Sequence, residues 1–144
     1  MSAKHTPGPW RWEVNRKSKV INLVGGHPQF DKTVMDFERW GMGGASPRFA
    51  LQFGDAHIMT RLCDNPDWIK PFSGRSHHAD WCAGVAHPDA RLIEAAPELL
   101  ESLEETLQRY LSLVASGDAG HWDPYQEAFV IKAEAAIAKA RGGA

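Results

Sequence analysis
The chain has 144 residues, of which 43% are hydrophobic and 24% charged, and its net charge is −2. That suits a single domain, 1–144, with a modest core; it is too apolar for bulk disorder and too near neutrality for a general nucleic-acid footprint. Two cysteines, Cys63 and Cys82, make no disulfide scaffold and read as cytosolic thiols, and no stretch reads as a signal peptide or a membrane span.

Residues 1–8 are polar and broken by Pro7 and Gly8, which predicts a flexible arm. Trp10, Trp12 and Val14 then alternate with Arg11 and Glu13, the period of a half-buried strand. A polar, basic turn with Arg16, Lys17 and Lys19 leads to a β-branched second strand over 20–24. Residues 33–40 read as a third strand. Residues 41–46, GMGGAS, read as a flexible glycine-rich connection closed by Pro47; the lysine and hydroxyl residue of a phosphate-binding loop are missing. Residues 48–53 and 57–62 supply a fourth and a fifth strand, so the sheet spans 9–62. Residues 63–87 are punctuated by Pro66, Pro71, Gly74 and Gly84 and read as irregular, with one short helix near 79–83.

Residues 88–144 are helical. Leu92, Ala96, Leu99, Leu103, Leu107, Tyr110 and Val114 recur at steps of three or four, with Leu100 and Leu111 widening the stripe. Glu94, Glu98, Glu101 and Glu105 form a solvated opposite face. Pro97 cannot donate an amide proton, so a bend is expected there, with a short helix before it and a longer one to about residue 116. Asp123-Pro124-Tyr125-Gln126 is a capping pattern that opens a last helix over 123–141, with Tyr125, Phe129, Val130, Ala133, Ala136, Ile137 and Ala140 on its apolar side. The expected fold is α+β: an antiparallel sheet of four to five strands in the N-terminal half, packed against a C-terminal helical hairpin.

Candidate chemistry is sparse. His77, His78 and Asp80, with His57, could ligate a metal, which makes a metal-dependent hydrolase or nuclease one alternative. Their spacing fits no standard finger and includes no HExxH. The glycine loop with Arg48 makes a nucleic-acid or nucleotide-binding module a second alternative. The leading expectation is binding of a protein partner, with no cofactor and no catalytic residue. Trp40, Met42, Arg48, Arg75 and Trp81, in residues 40–48 and 74–84, are the residue types enriched at interface anchors.

One resemblance runs end to end. His5-Thr6-Pro7-Gly8-Pro9-Trp10 resembles the opening of many small proteins encoded by tailed phages and prophages. His87-Pro88-Asp89-Ala90-Arg91-Leu92-Ile93, with Ala95-Ala96-Pro97-Glu98-Leu99-Leu100, resembles their shared helix, and Ala136-Ile137-Ala138-Lys139-Ala140 resembles their usual ending. Within that group, Val34-Met35-Asp36-Phe37 with Arg39-Trp40-Gly41-Met42, Pro47-Arg48-Phe49, and Gly74-Arg75 with His77-His78-Ala79 resemble a subgroup. The resemblance implies an accessory protein of a mobile element, working in the cytoplasm of a bacterial host. It implies no activity, so no residue becomes catalytic by this route. A role against host antiviral defence, as in anti-CRISPR-like inhibitors, is the most concrete expectation.

Overall fold
A computed structural model describes residues 4–53, 56–71 and 82–143. Chain contacts divide the protein into two compact units, residues 1–93 and 94–144.

The first unit holds the sheet. Strands β1 (Trp10–Asn15), β2 (Val20–Gly25), β3 (Lys32–Trp40), β4 (Gly44–Phe53) and β5 (Ala56–Arg61) form an antiparallel meander in chain order. The alternation around Trp12 and the β-branched run of β2 produce the first hairpin, with Val14 opposite Ile21. The Asn15 side chain accepts hydrogen bonds from the Lys17 and Ser18 amides and closes the turn between them. The third and fourth strands are joined more tightly than the glycine-rich stretch suggested. Only Gly41, Met42 and Gly43 form the turn; Gly44 already pairs with Trp40. Pro47 is tolerated within β4 because β5 pairs only from Arg48 onward, which leaves Pro47 beside β3 alone.

Residues 62–68 wind into two three-ten turns, and a second, two-stranded sheet follows: β6 (Ile69–Pro71) against β7 (Cys82–Val85). The short helix expected near 79–83 is corrected at Cys82 and Ala83, which are extended in β7; residues 79–81 lie outside the described residues. Gly84 takes a register position opposite Lys70, so pairing, not helical period, governs this segment. The core of the unit is built on Leu23, Val24, Val34, Phe49 and Ala50. Phe49, Trp68 and His87 cluster beside it, with the His87 ring centroid 5.0 Å from Phe49 and 4.8 Å from Trp68.

The helices begin at the end of this unit. Helix α1 (Pro88–Ser116) is a single helix running through Pro97, and the expected division into two helices is corrected. Proline deprives the helix of one bond, to the carbonyl of Ile93, and the turns on either side carry the chain through. The boundary between the two units falls in that same turn.

In the second unit the buried and half-buried positions of α1 include Leu100, Leu103, Leu107, Tyr110, Leu111 and Val114, whereas Ala96 and Leu99 face out. Asp123 accepts from the Tyr125 amide as a cap, but the turn it starts is three-ten, Pro124–Gln126. Glu127 is extended and the α-helix, α2, runs only over Ala128–Arg141. Val130 is its one fully enclosed side chain among the described residues; Phe129 and Tyr125, placed by the sequence on the apolar face, are about half exposed. Tyr110 donates to Glu127 Oε2 at 3.0 Å, and Arg141 pairs with Glu104, so α1 and α2 run antiparallel, as the short connection predicts. The α+β class and the antiparallel sheet therefore stand. Among the described residues no helix is long and apolar enough to cross a membrane.

Candidate functional site
The β3–β4 hairpin, built from the two longest strands of the sheet, carries three of the expected anchor positions, Trp40, Met42 and Arg48. Gly41 has φ +69, a left-handed conformation that a side chain would strain, and this lets three residues reverse the chain. Met42 then sits at the apex and is 99% exposed. On the fourth rung below, Phe37 is half exposed opposite Pro47. Trp40 forms the last rung with Gly44.

Arg48 faces inward along the same hairpin. It lies directly opposite Asp36, and the two form a fork: Nε donates to Oδ1 at 2.7 Å and one terminal nitrogen donates to Oδ2 at 2.6 Å. The hydrogen bonds to Asp36 raise the pKa of Arg48 above its ordinary value, against the smaller opposing effect of burial. Asp36 is nearly enclosed, so the guanidinium is committed to a carboxylate that has few other partners. This is a property of the fold and is not free charge for a phosphate. Arg48→Ala strands that carboxylate, and a stability loss of about 1–3 kcal/mol in urea denaturation is expected. Arg48→Lys restores charge without the fork and recovers only part of it.

His57 is the one described member of the candidate metal set. Its Nε2 lies 2.6 Å from the Thr33 carbonyl, to which it donates, while Nδ1 is buried with no hydrogen-bond partner among the described residues. Among the described residues no three metal-ligating side chains converge. His77, His78, Asp80, Arg75 and Trp81 lie outside the described residues.

The most enclosed polar constellation was not singled out from the sequence. Asp89, in the first turn of α1, has no exposed surface, and both of its oxygens are used by one residue. The Thr6 amide donates to Oδ1 at 2.5 Å, and the Thr6 hydroxyl donates to Oδ2 at 2.6 Å. The Thr6 carbonyl in turn accepts from the Trp10 indole at 2.9 Å. His87 caps the helix: its Nδ1 accepts from the Asp89 amide at 3.1 Å, which leaves Nε2 to donate to the Ala50 carbonyl at 2.8 Å. The stretch expected to be a loose arm is thus anchored from Thr6 onward. Every polar atom of the clasp finds its partner inside the fold, so it organises structure and leaves nothing directed at a ligand.

The clasp joins two of the stretches that resemble phage proteins, Thr6–Trp10 and His87–Asp89, across more than eighty residues of sequence. A family model described as Salmonella phage P22 protein Y8K6 matches residues 1–144. The chain belongs to this phage protein family. No curated protein and no solved structure matches it. Membership accounts for the origin suggested by the sequence. The signal that could have exposed the clasp was a threonine and an aspartate lying in the two motifs, but hydrogen bonding between distant positions leaves no periodic trace.

Proposed function
We propose that this phage protein performs no chemistry of its own and acts by binding a host or phage protein through the β3–β4 hairpin tip, with inhibition of a host antiviral defence as its most concrete form. The observation that supports this is Met42, an apolar side chain 99% exposed at the apex of a hairpin paired without a break from Asp36–Arg48 to Trp40–Gly44. Exposed methionine is adaptable and apolar, suited to a partner's pocket, and the ladder beneath fixes the main chain, so only the side chain has to be ordered on binding. Phe37 extends the apolar patch down the hairpin. Trp40 is on the same hairpin, and Arg48 supports it from within; Arg75 and Trp81, the other expected anchors, lie outside the described residues.

The test is capture of partners from phage-infected bacteria with tagged protein. Met42→Glu and Phe37→Ser are expected to lose the partner that the parent chain captures, with circular dichroism unchanged. Losses of about tenfold or more in affinity fit truncation of a buried anchor. Glu98→Ala and Glu105→Ala, on the exposed side of α1, are expected to retain it. The reverse pattern would transfer the function to the acidic helix face.

A further inference from the structure
We propose that the aromatic cluster around Glu127, at the connection between α1 and α2, is a binding site for an arginine side chain presented by a partner protein. The site lies wholly in the second unit. Three side chains form a hydrogen-bonded chain there: the Trp122 indole donates to the Tyr110 hydroxyl oxygen at 3.2 Å, and that hydroxyl donates to Glu127 Oε2 at 3.0 Å. Phe129 packs edge to face with Tyr110, ring centroids 4.9 Å apart. The main chain of Gly120 lies against the indole, where a Cβ would stand 3.5 Å from Cζ3. The rings are therefore held in place, yet Trp122 remains 39% and Phe129 54% exposed. Aromatic side chains fixed by their neighbours and left open to solvent anchor a partner at low ordering cost.

Charge selects the occupant. Glu127 is the N-cap of α2 but makes no capping bond with its side chain, and the carboxylate turns to Tyr110 instead. Tyr110 is a neutral donor and occupies one oxygen, so the negative charge is left uncompensated. No cation pairs with Glu127 among the described residues, and the positions one helical turn on are the apolar Val130 and Ile131. Among the described residues Oε1 has no hydrogen-bond partner, and it is not buried, because the one buried orphan there is His57 Nδ1. Residues 117–131 hold three acids, Asp118, Asp123 and Glu127, and no lysine or arginine. A cation is therefore attracted here, and the exposed rings beside the carboxylate select an organic one. A guanidinium suits the pairing better than an ammonium. It is planar and weakly hydrated, and it stacks on a ring while its edge donates to a carboxylate oxygen. The site is separate from the β3–β4 tip, so its failure leaves that reading intact.

The test follows the indole N–H resonance of Trp122 in the full chain by nuclear magnetic resonance, identified by its loss in Trp122→Phe. The probe is a blocked glycyl-arginyl-glycine peptide, titrated at constant ionic strength. A saturable shift is expected, with a dissociation constant on the order of 1–10 mM for so small a ligand. The same peptide with citrulline keeps the shape and loses the charge, and is expected to give no saturable shift; the lysyl peptide is expected to bind more weakly. Glu127→Gln keeps an acceptor for Tyr110 but removes the charge, and is expected to weaken binding by about tenfold. Phe129→Leu keeps apolar volume without the π face, for a weakening of about two- to fivefold. Glu134→Gln, farther along α2, is expected to bind as the parent does. Circular dichroism checks folding, and should Glu127→Gln disturb the helices, the citrulline comparison on the parent chain still decides. No saturable shift by about 100 mM peptide, an equal shift from the citrulline peptide, tighter binding of the lysyl peptide, undiminished binding by folded Glu127→Gln or Phe129→Leu, or loss of binding in Glu134→Gln would each overturn the proposal.

Discussion

Asp89→Ala is expected to cost about 3–5 kcal/mol of stability, measured from the shift of the urea midpoint at constant slope. The carboxylate is fully enclosed and accepts from both the amide and the hydroxyl of Thr6, which is itself fully enclosed. Removing it leaves two buried donors unpaired, each worth about 1–3 kcal/mol. The negative charge also lies in the first turn of α1, where the helix dipole favours it by a few tenths to about 1 kcal/mol. Asp89→Asn keeps the shape but directs an NH2 at one of the two donors, so an intermediate loss of about 1–3 kcal/mol is expected. Thr6→Val deletes the hydroxyl alone and leaves the amide bond, for a smaller loss still. A change below about 1 kcal/mol for Asp89→Ala would mean that the clasp does not hold the N-terminal segment.

Gly25→Ala is expected to cost about 2–4 kcal/mol, for a steric reason. A Cβ at this position would stand 2.4 Å from the Pro7 carbonyl oxygen and 2.7 Å from Cδ1 of Trp10. Neither neighbour can yield alone. Pro7 follows the clasped Thr6, and the Trp10 indole is tied to the Thr6 carbonyl. Accommodation therefore means lifting the segment off β2 and opening the Asp89 site with it. Hydrogen exchange at the Thr6 amide should quicken in this variant as stability falls. Gly43→Ala is the matched control: nothing lies within 4 Å of its Cβ, and a change within about 0.5 kcal/mol is expected. Equal effects at the two glycines would show that the N-terminal segment is not packed on Gly25.

Both variants act on a segment that composition alone marked as loose. Around Thr6 there is no apolar period to read, and proline with glycine ordinarily signals a break. What holds the segment is a pair of hydrogen bonds to a residue eighty-three positions away. The functional candidates divide in the same way. The exposure of Met42 was legible because glycines surround it in sequence and a turn apex has few neighbours. Arg48 was not, because a basic residue in a strand reads alike whether it faces a partner or the carboxylate of the adjacent strand; the cross-strand register decides, and it sets Asp36 opposite.

By itself the sequence determined the α+β class, an antiparallel sheet of four to five strands and a helical C-terminal region, since periods of two and of 3.6 are properties of neighbouring residues. It also suggested the phage origin, which the family match over residues 1–144 supports. Tertiary structure alone decided that α1 runs unbroken through Pro97, that Asp123 caps a three-ten turn while α2 starts later, and that β6 and β7 pair across a long intervening stretch. It alone brought Thr6 to Asp89 and Arg48 to Asp36. The physical reason is common to all of these. A local pattern fixes which conformation a segment prefers, but a lost helix bond, a displaced helix start or a buried charge is settled by partners that only folding brings within hydrogen-bond reach.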